Sequence, residues 1–270
     1  MKKERLDNLM VKKGLSESAE KARSSIMAGL VFVNGEKSDK AGAMYPSDVE
    51  ITLKENQIPY VSRGGLKLEK ALRYFDIRLN GKTALDVGAS TGGFTDCMLQ
   101  NGASKVIAID VGYGQLAWVL RNDERVINLE RTNIRYLKPE DIGIAVDFAA
   151  IDVSFISLKK VIPPVRELLK PGHGEIICLI KPQFEAERNQ VGKRGVVRDI
   201  EVHEQVVSDL VSFAVETGLF FKGISFSPIK GPEGNIEYLC YLSLKNGSSD
   251  MKQILPALQK AVQRSHVELG

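Results

Sequence analysis

The chain of 270 residues holds three cysteines, three histidines and one tryptophan, and it has no long apolar run. Each shortage removes a class of explanation. Cys97, Cys178 and Cys240 are too few and too scattered for a disulfide framework or a zinc site, and the last two lie in apolar runs, so they read as reduced core thiols. His173, His203 and His266 stand apart with no ligand-like spacing, which leaves a metal centre or a histidine-based hydrolytic triad unsupported. No metal is expected. No apolar stretch approaches the roughly 20 residues that span a bilayer, and the opening Met1-Lys2-Lys3-Glu4-Arg5 leads into no signal-peptide core. The cytoplasm is the expected compartment, with no membrane partner.

At 43% hydrophobic residues the chain can bury a full core, and its length suits one large domain plus a small one. The net charge of +3 says little as an average. Its distribution says more. Residues 61–82 carry Arg63, Lys67, Lys70, Arg73, Arg78 and Lys82 against Glu69 and Asp76, and residues 181–198 carry Lys181, Arg188, Lys193, Arg194 and Arg198 against Glu185 and Glu187. Either stretch fits a nucleic-acid contact or an ordinary solvated face.

The run Leu85-Asp86-Val87-Gly88-Ala89-Ser90-Thr91-Gly92-Gly93-Phe94 joins a short apolar strand, an acid and a glycine-rich turn to a helix. Its glycines do not follow the GxGxxG spacing of a dinucleotide fold, and a strand-end carboxylate at Asp86 would repel a pyrophosphate. The same charge suits the ammonium or sulfonium of S-adenosylmethionine. Asp110 closes the next apolar run, Val106 to Ile109, where a carboxylate can bind ribose hydroxyls. Expected cofactor contacts are therefore Asp86, Gly88, Ser90, Thr91, Gly92 and Phe94 at the methionine end, Asp110 at the ribose, and Thr132 and Asn133 at the adenine edge. Asn133 could equally cap a turn. Phe155 reads as a pocket wall or a core aromatic, and Trp118 as helix packing.

Up to about residue 60 the pattern gives two short helices, 4–13 and 18–28, a strand and tight turn through Val33-Asn34-Gly35, and a strand from Val49 to Leu53. Residues 61–82 read as a basic linker and first helix. From Thr83 to residue 270 strand and helix alternate, with strands at 83–87, 105–110, 126–129, 147–152 and 174–180 and helices near 92–101, 115–121, 157–169 and 200–217. Such alternation implies an α/β fold with a mostly parallel sheet. Two last strands, 220–227 and 237–244, are linked too tightly for a parallel crossover and should pair antiparallel, before a terminal helix from about 250.

With these residues laid out, the second domain resembles the Rossmann-like methyltransferases, and within them the FtsJ-type ribose 2′-O-methyltransferases. The first sixty residues resemble the small α+β RNA-binding domain named after ribosomal small-subunit protein four, through Arg5-Leu6-Asp7, Ala22-Arg23, Ile26, Gly29 and Val33-Asn34-Gly35. The two in this order resemble the TlyA family of ribosomal RNA methyltransferases, also called haemolysins. Local signatures are Val61 to Leu68, Leu129-Glu130-Arg131-Thr132-Asn133-Ile134, Asp152-Val153-Ser154-Phe155-Ile156-Ser157, Ile180-Lys181-Pro182-Gln183-Phe184-Glu185 and Gly234-Asn235-Ile236-Glu237-Tyr238.

The resemblance implies S-adenosylmethionine-dependent 2′-O-methylation of a ribosomal RNA cytidine within assembled subunits. It also implies a catalytic Lys-Asp-Lys-Glu tetrad at Lys67, Asp152, Lys181 and Glu237. Lys181 would act as a base or as the cation beside a developing alkoxide, and the residues alone leave both open. RNA contacts are expected from Arg5, Lys12, Lys13, Lys21, Arg23, Arg63 and Arg73, although Ala19 stands where many members of that small-domain family carry an arginine. A non-catalytic ribosome-binding factor and a membrane-active haemolysin are the competing classes.

Overall fold

The computed structural model describes residues 3–27, 29–53 and 58–270. Ala28, the expected last residue of the second helix, lies outside the described residues, as do Met1 and Lys2. The chain divides into two compact units, Met1–Pro59 and Tyr60–Gly270.

The first unit runs β1 (Lys3–Arg5), α1 (Leu6–Lys12), α2 (Ala19–Met27), β2 (Val31–Val33), β3 (Glu36–Lys37), β4 (Met44–Pro46) and β5 (Ile51–Leu53). Asn34 and Gly35 both have positive φ, +50° and +80°, the geometry of a two-residue hairpin whose twist matches its strands. β2 therefore pairs with β3 on one side and with β5 on the other. β1 pairs with β4 in a separate ribbon. Leu6, Leu9, Met10, Ile26, Val31 and Val33 fill the core of this unit.

The second unit opens with α3 (Gly64–Tyr74), so much of the 61–82 stretch is an ordered helix of this unit. It continues through β6 (Thr83–Val87), α4 (Gly93–Gln100), β7 (Lys105–Ile109), α5 (Trp118–Arg121), β8 (Val126–Leu129), α6 (Pro139–Ile142) and β9 (Phe148–Ile151). Then come α7 (Ile162–Leu168), β10 (Glu175–Ile180), α8 (Pro182–Glu185), α9 (Ile200–Glu216), β11 (Phe220–Phe226), β12 (Tyr238–Ser243) and α10 (Met251–Leu269). The seven strands lie in the order β11-β12-β10-β9-β6-β7-β8. β10, β9, β6, β7 and β8 are parallel, and β12 runs antiparallel to both β10 and β11. This is the mostly parallel sheet expected from the alternation, with its last strand reversed. The central strands β9 and β10 are buried on both faces, which is why they read as near-continuous apolar runs.

Two helices are shorter than their pattern. The 115–121 segment forms one turn only, α5, whose inward residue is Leu120, so Trp118 is 78% exposed and does not pack as expected. The 157–169 segment splits into a 3-10 turn at Leu158–Lys160, capped by the Ser157 hydroxyl, and α7, which starts at Ile162 ahead of Pro163 and Pro164. Asp147 stays outside β9: its carboxylate accepts the Thr83 N–H and pairs with Lys170.

The sheet order reverses between β6 and β9. Chain leaving β6 crosses to β7 on one side, whereas β9 joins on the other, and such a switch point leaves a crevice at the carboxyl ends of the strands.

Candidate active site

Gly88 follows β6 at this switch point. Its φ is +86°, and a Cβ there would stand 2.4 Å from the Asp152 carbonyl oxygen at the end of β9. Only glycine meets both demands. The neighbouring loop is held by Asp110, just beyond β7, whose Oδ2 accepts the Ser90 N–H and whose Oδ1 accepts the Gly112 N–H, both at 2.7 Å.

A cleft of about 520 Å³ opens along this edge, within the range of small-molecule sites. Gly88, Ser90, Asp110, Thr132 and Asn133, all expected from sequence, line it. Asn133 also caps the following 3-10 turn by accepting the Arg135 N–H, so the two uses coexist. The remaining wall is largely apolar, from Val87, Ile109, Val111, Ile134 and Ile156, with Gln115, Asp152 and Ser154 as polar exceptions. Sequence reasoning passed over Gln115 and Ser154; Ser154 was legible as the second residue beyond the strand-end Asp152. Phe155 is 91% exposed at φ +63°, lines the cleft, and sets its ring 5.0 Å from that of Phe184. It walls the pocket and is no core residue.

The other four expected cofactor contacts lie outside the cleft. Asp86 is fully buried: its Oδ2 accepts both the N–H (2.8 Å) and the hydroxyl (2.6 Å) of Thr95, fixing the first turn of α4. Burial pushes its carboxyl up to about 7. Gly92, at φ +97°, precedes α4, and a Cβ there would collide with Leu116 and Leu120. The Thr91 carbonyl accepts the Ala117 N–H. Phe94 is buried near Gly64, where α3 and α4 meet. These residues shape the loop from behind.

Four charged side chains from four places meet beside the cleft. Lys67 projects from α3, Asp152 follows β9, Lys181 follows β10, and Glu237 precedes the reversed β12, whose start lies at the same edge because Tyr238 pairs with Ile180. Lys67 Nζ donates to Glu237 Oε2 at 2.6 Å and lies 3.9 Å from Asp152 Oδ2. Lys181 Nζ is 2.5 Å from Asp152 Oδ1 and donates to Ser154 Oγ at 3.0 Å. Glu237 is fully buried, and burial raises its carboxyl pKa against the opposing pull of Lys67. Its Oε1 faces Gly231 so closely that a Cβ there would stand 2.1 Å away. Gly93 brings α3 near in the same manner, since a Cβ on it would meet the Gly65 nitrogen at 2.9 Å.

Most expected RNA contacts in the first unit already have local partners. Arg5 and Arg23 converge on the buried Asp7, whose carboxyl the Arg5 guanidinium holds down to about 2. Lys12 pairs with Glu4 at 2.9 Å, Lys21 with Glu17, and Lys13 donates to the Val49 carbonyl. In the second unit Arg73 pairs with Glu69. Arg63, just ahead of α3, has no ion-pair partner among the described residues. Among the described residues no group of three or more His, Cys, Asp or Glu could hold a metal ion, and no helix is long and apolar enough to cross a membrane.

The cleft can take S-adenosylmethionine. Its lining holds the carboxylates Asp110 and Asp152 and no lysine or arginine, which suits a ligand that is cationic at one end and flat and apolar at the other, and disfavours a pyrophosphate. Residues 60–244 match the family described as FtsJ-like methyltransferase, and residues 4–51 match the S4 domain. The chain belongs to the FtsJ-like methyltransferase family, whose methyl donor is S-adenosylmethionine, with an S4 domain ahead of the catalytic one. Among similar proteins, the Bacillus subtilis (strain 168) "Putative rRNA methyltransferase YqxC" is 51% identical over 99% of this chain and 96% of its own. The Mycobacterium tuberculosis "16S/23S rRNA (cytidine-2'-O)-methyltransferase TlyA" is 42% identical over 97% of this chain and 96% of its own. A solved structure, "Putative hemolysin from Streptococcus thermophilus", is 46% identical, covers 99% of this chain and 97% of its own, and superposes with a TM-score of 0.78.

Proposed function

We propose that the protein methylates the 2′ hydroxyl of a cytidine ribose in ribosomal RNA, acting on assembled subunits in the cytoplasm. The observation that carries this reading is the alternating cluster Glu237, Lys67, Asp152, Lys181 beside a cleft that fits the donor. A family relative named for cytidine 2′-O-methylation of 16S and 23S ribosomal RNA, and the S4 domain, supply the substrate class.

When bound, S-adenosylmethionine supplies an electrophilic methyl group on sulfonium. Methylation of the 2′ hydroxyl requires its proton to leave, and that departure is what the chain's own residues would serve. Lys181 is placed to assist that departure, because Asp152 and Ser154, which both line the cleft, hold its Nζ beside the reacting edge. Glu237 holds Lys67, and Lys67 in turn faces Asp152 from behind, so the ribose meets a preset arrangement and little reorganisation is left for the reaction. As a base Lys181 takes the ribose proton; as an ammonium it stabilises the developing alkoxide while water takes it. A single-turnover pH–rate profile separates the two, because a basic Lys181 gives an ascending limb that vanishes in Lys181→Arg, whereas a cation leaves the limb in place.

The direct test is transfer of labelled methyl from S-adenosylmethionine to purified ribosomal subunits lacking the modification. Wild type is expected to label a cytidine 2′-O position, and Lys181→Ala to retain donor binding but lose at least about a hundredfold in rate. No label on either subunit despite donor binding would sink the ribosomal reading.

A further inference from the structure

Residues 188–198 contain Arg188, Lys193, Arg194 and Arg198 and no acid. Lys193, Arg194 and Arg198 are exposed and lack an ion-pair partner among the described residues, unlike Arg5, Arg23, Lys12, Lys21 and Arg73, whose charges are already opposed by carboxylates. An unopposed cation gains more from a phosphate than one that must first leave a carboxylate. The segment is also firmly held. Gly192 N–H donates to the Val196 carbonyl and Gly195 N–H to the Gly192 carbonyl, closing a tight turn that displays Lys193 and Arg194.

Two buried side chains anchor this turn to the residues on either side of Glu237. Asn235 is 2% exposed: its Oδ1 accepts the Val197 N–H at 3.2 Å, and its Nδ2 donates to the Gly195 carbonyl at 2.9 Å. His203 is fully buried and bridges the Val197 carbonyl, through Nε2 at 3.0 Å, to the Tyr238 hydroxyl, through Nδ1 at 2.6 Å. A carbonyl only accepts, so Nε2 carries the proton and Nδ1 accepts from Tyr238. Burial lowers the His203 pKa, which favours the neutral ring. Asn235 and Tyr238 thus both hold the basic turn, and Glu237 sits between them in sequence.

We infer that the turn carrying Lys193, Arg194 and Arg198 is a phosphate-binding element for the substrate RNA, and that Asn235 and His203 make it rigid with Glu237, so that docking of the RNA backbone sets the reacting edge. Asn235 is then a positioning residue. The inference rests on the RNA-directed reading above. It explains why a cationic turn is built onto residues that flank Glu237 at the start of β12.

The test uses the full chain with unmodified ribosomal subunits. Lys193→Ala/Arg194→Ala/Arg198→Ala alters only exposed side chains, so it should keep the wild-type melting temperature and donor affinity. Its subunit affinity should fall at least about tenfold, and the slope of log affinity against log salt should shrink by about 2, at roughly 0.7–0.9 for each phosphate no longer neutralised. In turnover it should raise KM for subunits with kcat kept, whereas Asn235→Ala should lower kcat about tenfold with both KM values kept. An unchanged affinity and slope in the triple variant would overturn the inference. So would a variant that loses binding to anionic lipid vesicles while binding subunits as wild type does. For Asn235→Ala, a loss of kcat that tracks a lowered melting temperature would reduce that residue to a structural role and overturn the coupling. If wild type binds subunits but transfers no methyl, the proposed reaction fails, while a lowered salt slope in the triple variant still supports the phosphate contact.

Discussion

Asp86 shows what burial does to a single carboxylate. It has no exposed surface, one oxygen satisfied by Thr95 and the other without a hydrogen-bond partner among the described residues, and its carboxyl is pushed up to about 7. A folded pKa above the unfolded one means that the folded state binds the proton more tightly. The resulting stability is complete below the ordinary carboxylate range and disappears as pH rises through about 7. Asp86→Asn has no such dependence. Urea unfolding at pH 5 and pH 8 should therefore show the Asn variant gaining about 2–3 kcal/mol on wild type between the two, at about 1.4 kcal/mol per pKa unit. A difference that stays flat with pH would mean that Asp86 titrates normally. The residue also marks a limit of sequence reading. Gly88, Ser90, Asp110, Thr132 and Asn133 were legible because the switch point places loops beyond strand ends at the cleft. Asp86 lies outside the cleft lining because the positive-φ residues Gly88, Ser90 and Gly92 fold the loop back until Thr95 reaches it, and no spacing announces that.

At the scale of elements, the tetrad depends on α3 lying against the start of β12. Gly65, Leu68, Ala71 and Leu72 form the buried stripe of α3, and Lys67 lies on that stripe with its side chain 10% exposed. A lysine in the apolar phase of the helix expected within residues 61–82 was the available signal that this side chain faces inward. Its partner Glu237 has no exposed side-chain surface, so the pair is a buried one, in which losing one member strands the other. Lys67→Met should destabilise by about 3–5 kcal/mol, and Lys67→Met/Glu237→Leu should recover most of that loss while remaining inactive. Denaturant unfolding of the two singles and the double closes the cycle. Additive losses would show that the two charges do not depend on each other and that α3 is held by its apolar stripe alone. The sequence pattern could nominate these charges at strand ends, but pairing Lys67 with a residue 170 positions away required the reversed strand.

At the scale of the whole molecule, the two units bury separate apolar clusters among the described residues. Leu6, Leu9, Ile26 and Val31 belong to one, and the sheet residues Leu85, Ile107, Ile151 and Ile180 to the other. The change to alternating strands and helices appears in the sequence near Thr83, whereas the second compact unit already begins at Tyr60 and includes α3. The short strands β1, β3 and β4 were not legible, because two or three residues carry no readable period and Pro46 argues against a strand. The donor cleft and the tetrad are built entirely from residues of the larger unit, Tyr60–Gly270, which is long enough to bury a core of its own. The fragment 60–270 should therefore unfold in a single cooperative transition and bind S-adenosylmethionine within about threefold of the full chain. Under the RNA-directed reading proposed above, the S4 domain adds phosphate contacts, so the same fragment should bind ribosomal subunits more weakly and with a smaller salt slope. Calorimetry with the donor and subunit binding at several salt concentrations check both halves. A folded fragment with lost donor affinity would show that the first unit helps to form the cleft, and one with unchanged subunit binding would remove the S4 domain from RNA recognition.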